Sequence, residues 1–333
     1  MTKTRSKRNW SHWHHQFHKE FLKDKHLIPQ GSNLLISVSG GQDSMALLSL
    51  CVDIKSYHNW SIYVWHGDHK WHEESKEFAS QVKNFCMNKN IPIYIDEANI
   101  DISTEEKARD WRYKKLCEKA DEIFLEKESK LKTYILTGHT STDNAETFLL
   151  NLARGSNYAG LSGIPKKRIL MNKYNLVRPI LFFSRDDTYK ICQSLDVPIW
   201  EDPSNYDKKI KRNLIRLNLL ADLEKIYPGC NKRINIFIGK MNKYHFEQRD
   251  LCELALKACS SQEGIDREIF LNLGFEARST ILNNFIKKEY PKQLSSKVIE
   301  DFSVKIENKD RGKMDLAKEF KIVWNKKYIY ITS

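Results

Sequence analysis

At 333 residues, with 41% hydrophobic and 29% charged side chains, the chain is long enough to bury a core for two domains and is neither disordered nor fibrous. It has no apolar run of 18 residues and no apolar signal core near Met1, which excludes a transmembrane helix and points to the cytoplasm, or to the plastid stroma for an organellar gene. A net charge of +12 favours a polyanionic partner, nucleic acid first, and seven scattered cysteines without a CxxC pair indicate reduced thiols.

Residues 1–30 read as an N-terminal basic helix. Within it, Trp10, Trp13, Phe17 and Phe21 share one face over Trp10–His26. His14 and His18 are four apart, which is metal-ligand spacing. With no acid or cysteine beside them in sequence, the polar side of a surface helix is the better reading. The stretch Leu34–Leu50 (LLISVSGGQDSMALLSL) is more informative. LLISV has the length and composition of a buried strand, Ser39-Gly40-Gly41 breaks it, and Met45, Ala46, Leu48 and Leu50 return at helical spacing. Two glycines allow close backbone approach, and a helix N-terminus presents N–H groups, so the turn suits pyrophosphate. Asp43 beside phosphate needs a cation between them, and Mg²⁺ is the natural one. The alternative is a Ser-Gly turn capped by Asp43. The string is not a Walker A loop, GxGxxG or GxSxG.

Strands and helices then alternate: Ser61–His66, Glu73–Asn88, Ile91–Ile95, Glu105–Leu125, Thr133–Thr137 and Asp143–Ala153. This predicts a Rossmann-like α/β fold, a parallel sheet with helices on both faces and ligands at the carboxyl ends of its strands. SGGQDS, HGDH and GHTSTD all fall on that rim. His66, His69 and His72 admit a zinc reading, ranked below contact with a nucleotide. Glu105, Arg109 and Arg112 share a helical face, either as surface ion pairs or with Arg112 on a phosphate or base edge. Asp143 and Glu146 are three apart, which fits an Asp N-cap with Glu behind it and equally a carboxylate pair gripping Mg²⁺ or an ammonium. Pro165-Lys166-Lys167-Arg168 forms a basic edge, Ser184 caps a helix with Asp187 behind it, and Arg212 and Arg216 lie four apart on another. Beyond residue 218 the pattern is helical, with a closing hairpin at Lys321–Trp324 and Tyr328–Ile331. The expected domains are therefore 31–217, nucleotide-binding, and 218–333, mainly helical.

SGGQDS (39–44) resembles the loop of the PP-loop, or N-type, ATP pyrophosphatases. EEKARDWRY (105–113), TGHTSTDNAETFLLNLARGS (137–156), LVRP (176–179) and EDPSN…RNLIR (201–216) are similar to the tRNA(Ile)-lysidine synthetase branch. That resemblance implies the PP-loop fold and a ligase that uses ATP to adenylate the wobble cytidine of the CAU-anticodon isoleucine tRNA and joins lysine to its C2. Expected partners are that tRNA, held partly by the helical domain, free L-lysine and, as an assembly, a homodimer, with no membrane. Ser39, Gly40, Gly41, Gln42, Asp43 and Ser44 would bind ATP, with Mg²⁺ on Asp43. Asp143 and Glu146 would engage the lysine amine or the metal, Arg112 and His139 the cytidine and phosphates, and Arg212 the intermediate. After the second strand this chain has Asp68-His69-Lys70-Trp71-His72 where the family has an Asp/Asn-His-Gly-Leu-Arg-like run. Two alternatives stay open: a PP-loop synthetase acting on a small molecule, which would turn over ATP without RNA, and a non-catalytic tRNA-binding protein, which would ignore ATP.

Overall fold

The computed structural model describes residues 10–70, 74–98, 104–126, 132–207, 209–286, 294–317 and 320–332. The chain divides into two compact units, Met1–Gly239 and Lys240–Ser333. The first runs α1 (His12–Lys23), β1 (Asn33–Ser37), α2 (Gln42–His58), β2 (Ser61–Asp68), α3 (Ser75–Asn88), β3 (Ile93–Glu97), α4 (Glu105–Glu126), β4 (Thr133–Thr137) and α5 (Ser141–Ala153). It continues through α6 (Tyr158–Leu161), β5 (Lys167–Leu170), β6 (Tyr174–Val177), α7 (Arg185–Ser194), a 3-10 turn at Pro203–Tyr206 and α8 (Lys211–Leu214). A π-helical turn over Ile215–Leu220, α9 (Ala221–Ile226) and α10 (Cys230–Cys259) follow.

The strands form one sheet in the order β3-β2-β1-β4-β6-β5. All neighbours are parallel except the β5–β6 hairpin. β1 lies inside, with Leu35 opposite Tyr63 of β2 and Ile135 of β4. Its apolar run is continuous because both faces are covered. Leu34 and Ile36 pack with Phe17 and Phe21 of α1, Leu48 and Ile54 of α2 and Ile191 of α7. Leu35 points the other way, to Trp111, Leu116 and Ala120 of α4. From β1 the chain runs outward to β2 and β3, then returns to β4 on the other side of β1. The loops after β1 and β4 therefore flank the point where strand order reverses, where sheets of this kind bind ligands.

Two sequence expectations are corrected and a third is filled in. The N-terminal segment is no separate element, since Phe17 and Phe21 are buried in the main core. Burying a phenylalanine contributes about 1.5–3 kcal/mol, so α1 is part of what holds the sheet. The division falls at Gly239, inside α10, and not at 217. Strand alternation ends early, but α10 still packs on α5, with the rings of Phe148 and Phe237 5.8 Å apart and Asn144 Nδ2 donating to Asn235 at 2.9 Å. Finally, the second unit is mainly helical, as expected, but it also holds a small sheet of which the sequence showed only the closing hairpin. Its strands are β7 (Ser260–Ser261), β8 (Gly264–Asp266), β9 (Gly312–Ala317), β10 (Phe320–Trp324) and β11 (Tyr328–Thr332). They make an antiparallel sheet ordered β7-β8-β11-β10-β9 around the expected hairpin. With α11 (Arg267–Leu271), α12 (Phe275–Ile286) and α13 (Ser296–Asn308) it encloses Phe270, Leu282, Phe302, Ile322 and Trp324. Strands of two and three residues leave no period to read. Among the described residues no helix is long and apolar enough to cross a membrane.

Candidate active site

Ser39–Ser44 turns from β1 into α2. Gly40 has φ +93, a conformation that only glycine adopts at no steric cost, and a Cβ there would stand 3.1 Å from Cε3 of Trp200. Ser44 Oγ donates to the Gly41 carbonyl at 2.9 Å and accepts from the Ser39 amide at 3.2 Å, which closes the loop on itself. α7 braces it from outside. Gln42 Nε2 donates to the Arg185 carbonyl at 2.5 Å and to Thr188 Oγ1 at 3.0 Å. Thr188 Oγ1 donates to Asp43 Oδ1 at 2.5 Å, and Arg185 Nη1 lies 3.5 Å from Asp43 Oδ2. Burial pushes the Asp43 carboxyl up to about 6; Arg185 pulls it down and Asp143 adds to the rise. Asp43 is a single carboxylate at a phosphate-shaped turn, and among the described residues no group of three or more His, Cys, Asp or Glu could hold an ion by itself. That donor set fits Mg²⁺, which takes one or two carboxylates and fills its shell with phosphate oxygens and water.

The β4–α5 loop touches this turn directly. A Cβ on Gly138 would lie 2.9 Å from the Ser44 amide nitrogen and 3.0 Å from the Asp43 carbonyl oxygen. The N-cap of α5 is Thr140, not Asp143 as the capping alternative had it. Asp143 is the third helical residue, and its Oδ2 accepts from Thr140 N and Thr140 Oγ1, both at 2.7 Å. Its other oxygen, Oδ1, accepts from Arg212 Nη2 at 3.0 Å. Capping and ion pairing thus use different oxygens of one carboxylate. Glu146 is 1% exposed and accepts from Arg212 Nε at 2.6 Å, with Arg216 Nη1 4.0 Å away. Arg212 precedes the π-helical turn, a distortion that recurs at functional sites. Burial and Asp143 raise the Glu146 carboxyl above its ordinary range, against Arg212. Asp143 is held low: against the burial that would raise it, Arg212 and the hydrogen bonds from Thr140 favour the carboxylate.

His139 lies next along the rim, with Nδ1 3.0 Å from Thr137 Oγ1. Burial drives it down to about 3, and the nearby charges of Arg178, Arg212 and Arg112 work with burial against Asp143. Its imidazole is therefore neutral at working pH. Arg112 reaches this spot from α4 and also adds to the lowering of His69, which burial takes to about 4. His69 packs against Trp111, ring centroids 4.9 Å apart, and His66 Nδ1 lies 2.8 Å from the Val38 carbonyl. His72, the third member of the zinc reading, is outside the described residues, as is Trp71. On α1, His14 Nε2 pairs with Asp53 at 3.1 Å and His18 with His58 at 3.0 Å, so the two histidines four apart face different partners.

A family model for the PP-loop domain matches residues 11–223. Over 328 residues the chain is 57% identical to a tRNA(Ile)-lysidine synthase of Prochlorococcus marinus subsp. pastoris, covering 98% of both chains. The chain belongs to the tRNA(Ile)-lysidine synthase family. Other lysidine synthases of that name include one from a second Prochlorococcus marinus strain, 40% identical over 98% of both chains, and a chloroplastic one from Pyropia yezoensis, 37% identical over 63% of each. A solved U34-tRNA thiolase from Methanococcus maripaludis shares the fold, with a TM-score of 0.55 at 16% identity over 69% of this chain and 78% of that one.

In this member of the lysidine synthase family the expected residues gather on one rim. Asp43, His139, Asp143, Glu146 and Arg212 form a continuous polar line, and Arg112 approaches it from α4. Sequence reasoning missed Arg185, Thr188 and Trp200, which brace the loop, and Arg178, which flanks His139. The LVRP motif held Arg178, and the Ser184 cap was a signal for Arg185 and Thr188, since it fixes them at the start of α7, where its capping box is present as expected. The Arg212–Arg216 pair is not a solvated face: Arg216 Nη2 donates to the Asn205 carbonyl at 2.7 Å.

Proposed function

We infer that the chain uses ATP to form lysidine at the wobble cytidine of the CAU-anticodon isoleucine tRNA, releasing AMP and pyrophosphate. The observation that carries this is the whole-length likeness to the Prochlorococcus marinus synthase. The chemistry has two steps. Cytidine O2 attacks the α-phosphorus of ATP, and the bond to the bridging oxygen breaks to free pyrophosphate. The lysine ε-amine then attacks C2, the C2–O bond breaks, AMP departs with the electron pair, and the amine loses a proton.

In this reading the glycine turn and the N-terminus of α2 cradle the departing pyrophosphate. Mg²⁺ held by Asp43 and phosphate oxygens would offset the charge that builds there. An ammonium with a pKa of about 10.4 in water must lose a proton before it can attack. Asp143 and Glu146 receive it, and Glu146, raised by burial, is the better proton acceptor of the two. The ammonium competes with Arg212 for the same oxygens, so its arrival turns the guanidinium toward the adenylate phosphate. Neutral His139 and cationic Arg112 face the base.

AMP formation tests the first step. The wild-type protein with ATP and Mg²⁺ is expected to release AMP only when the isoleucine transcript is present, and Asp43→Ala is expected to release none. AMP formed equally well without RNA would replace this function with that of a small-molecule synthetase.

A further inference from the structure

Three motifs far apart in sequence bring a second cationic group to the rim. Tyr113 of α4 is 7% exposed. The guanidinium carbon of Arg168 stands 5.0 Å from its ring centre and that of Arg109 5.5 Å. Its hydroxyl is in hydrogen-bonding reach of Arg168 and Arg178. Arg178, at the carboxyl end of β6, is 2% exposed and donates from Nη1 to the Pro165 carbonyl at 2.6 Å. The Nε atoms of both Arg178 and Arg168 are buried without a hydrogen-bond partner. The backbone explains the meeting. Arg168 is opposite Leu176 in the β5–β6 hairpin, Arg178 is two residues beyond Leu176, and so both point to the sheet face that α4 covers. Arg109 is one helical turn before Tyr113.

Three guanidiniums around one phenol, none paired with a carboxylate among the described residues, repel one another unless an anion joins them. Against the burial that would raise it, Arg109, Arg178 and Arg168 hold the Tyr113 hydroxyl below its ordinary range. We propose that Arg109, Arg168 and Arg178, arranged on Tyr113, form a phosphate site that grips the RNA backbone beside the base being modified.

Position selects the RNA over the nucleotide. The strand order β1-β4-β6-β5 sets these groups in sequence along the rim: the glycine turn follows β1, His139 follows β4, Arg178 follows β6 and Arg168 is on β5. The glycine turn is thus at one end of the line, the arginines are at the other, and the base-facing residues are between them. A nucleotide with its base at His139 and its O2 toward ATP must put its sugar and phosphate on the far side. Arginine suits that phosphate because its planar fork makes paired hydrogen bonds to phosphate oxygens.

This inference rests on the proposed function for its RNA. The test is filter binding of the isoleucine tRNA transcript to the full chain across a salt series, with ATP affinity measured calorimetrically on the same samples. Arg109 is exposed and Arg168 half-buried, so Arg109→Gln and Arg168→Gln leave the core intact. The double variant is expected to bind the RNA roughly tenfold more weakly at low salt, with a log–log salt slope shallower by about 0.7 for each phosphate no longer neutralised, and to keep its ATP affinity. Unchanged RNA affinity and slope in the folded double variant would overturn the proposal. Weakened ATP binding with unchanged RNA binding would also overturn it, assigning the phosphate to the nucleotide. Lysine transfer by the wild-type protein is scored separately, so a failure of the proposed function is not confused with a failure of this site.

Discussion

Under the proposed function, Asp43 is where binding and folding conflict. Burial lifts its carboxyl from 3.8 to about 6 in the folded chain. The folded state then holds the proton more tightly than the unfolded chain, so stability falls as pH climbs from about 4 to about 6, and the penalty persists above that window. Asp43→Asn removes it. The variant is expected to be more stable than wild type by roughly 1–3 kcal/mol at pH 8, an advantage that vanishes near pH 4, while AMP formation drops about a hundredfold or more. Thermal unfolding at the two pH values checks this, and equal melting at pH 8 would contradict it. Arg212 has the opposite role. It balances Asp143 and the buried Glu146, so Arg212→Ala is expected to destabilise the fold by about 3 kcal/mol, seen as a lower denaturation midpoint, and to abolish turnover. The glycine turn was legible in sequence because six consecutive residues carry it. Thr188 and Arg178 were not, since they meet Asp43 and His139 only through tertiary packing.

At the scale of elements, the site depends on two loops pressed together at the reversal of strand order. Gly138 permits that approach by lacking a Cβ. Gly138→Ala forces a methyl group against the backbone of Asp43 and Ser44, so it is expected to part the loops and lower kcat/KM for ATP by about a hundredfold, with a fold otherwise near wild type by circular dichroism. Unchanged kinetics would mean that the loops are not coupled. The parallel sheet was readable because each strand is a short apolar run followed by a polar turn and an amphipathic helix. β5 was not, because KRIL in a basic stretch has too few residues to show alternation. It matters all the same, since the hairpin is what carries Arg168 to Tyr113.

Across the whole molecule, the excess of 12 positive charges favours a polyanionic partner, but composition does not say where the charge is used. The structure concentrates part of it on the rim beside the PP-loop. The boundary expected at 217 moved to 239 because helices without strands between them still belong to the first unit. Lysine transfer tests the central claim most directly. The full chain would be incubated with ATP, Mg²⁺, labelled lysine and the CAU-anticodon isoleucine transcript, beside a transcript with the wobble C changed to U. Label is expected in the first RNA alone, in step with AMP release. Label in both RNAs, or in neither while the folded protein consumes ATP, would contradict the account.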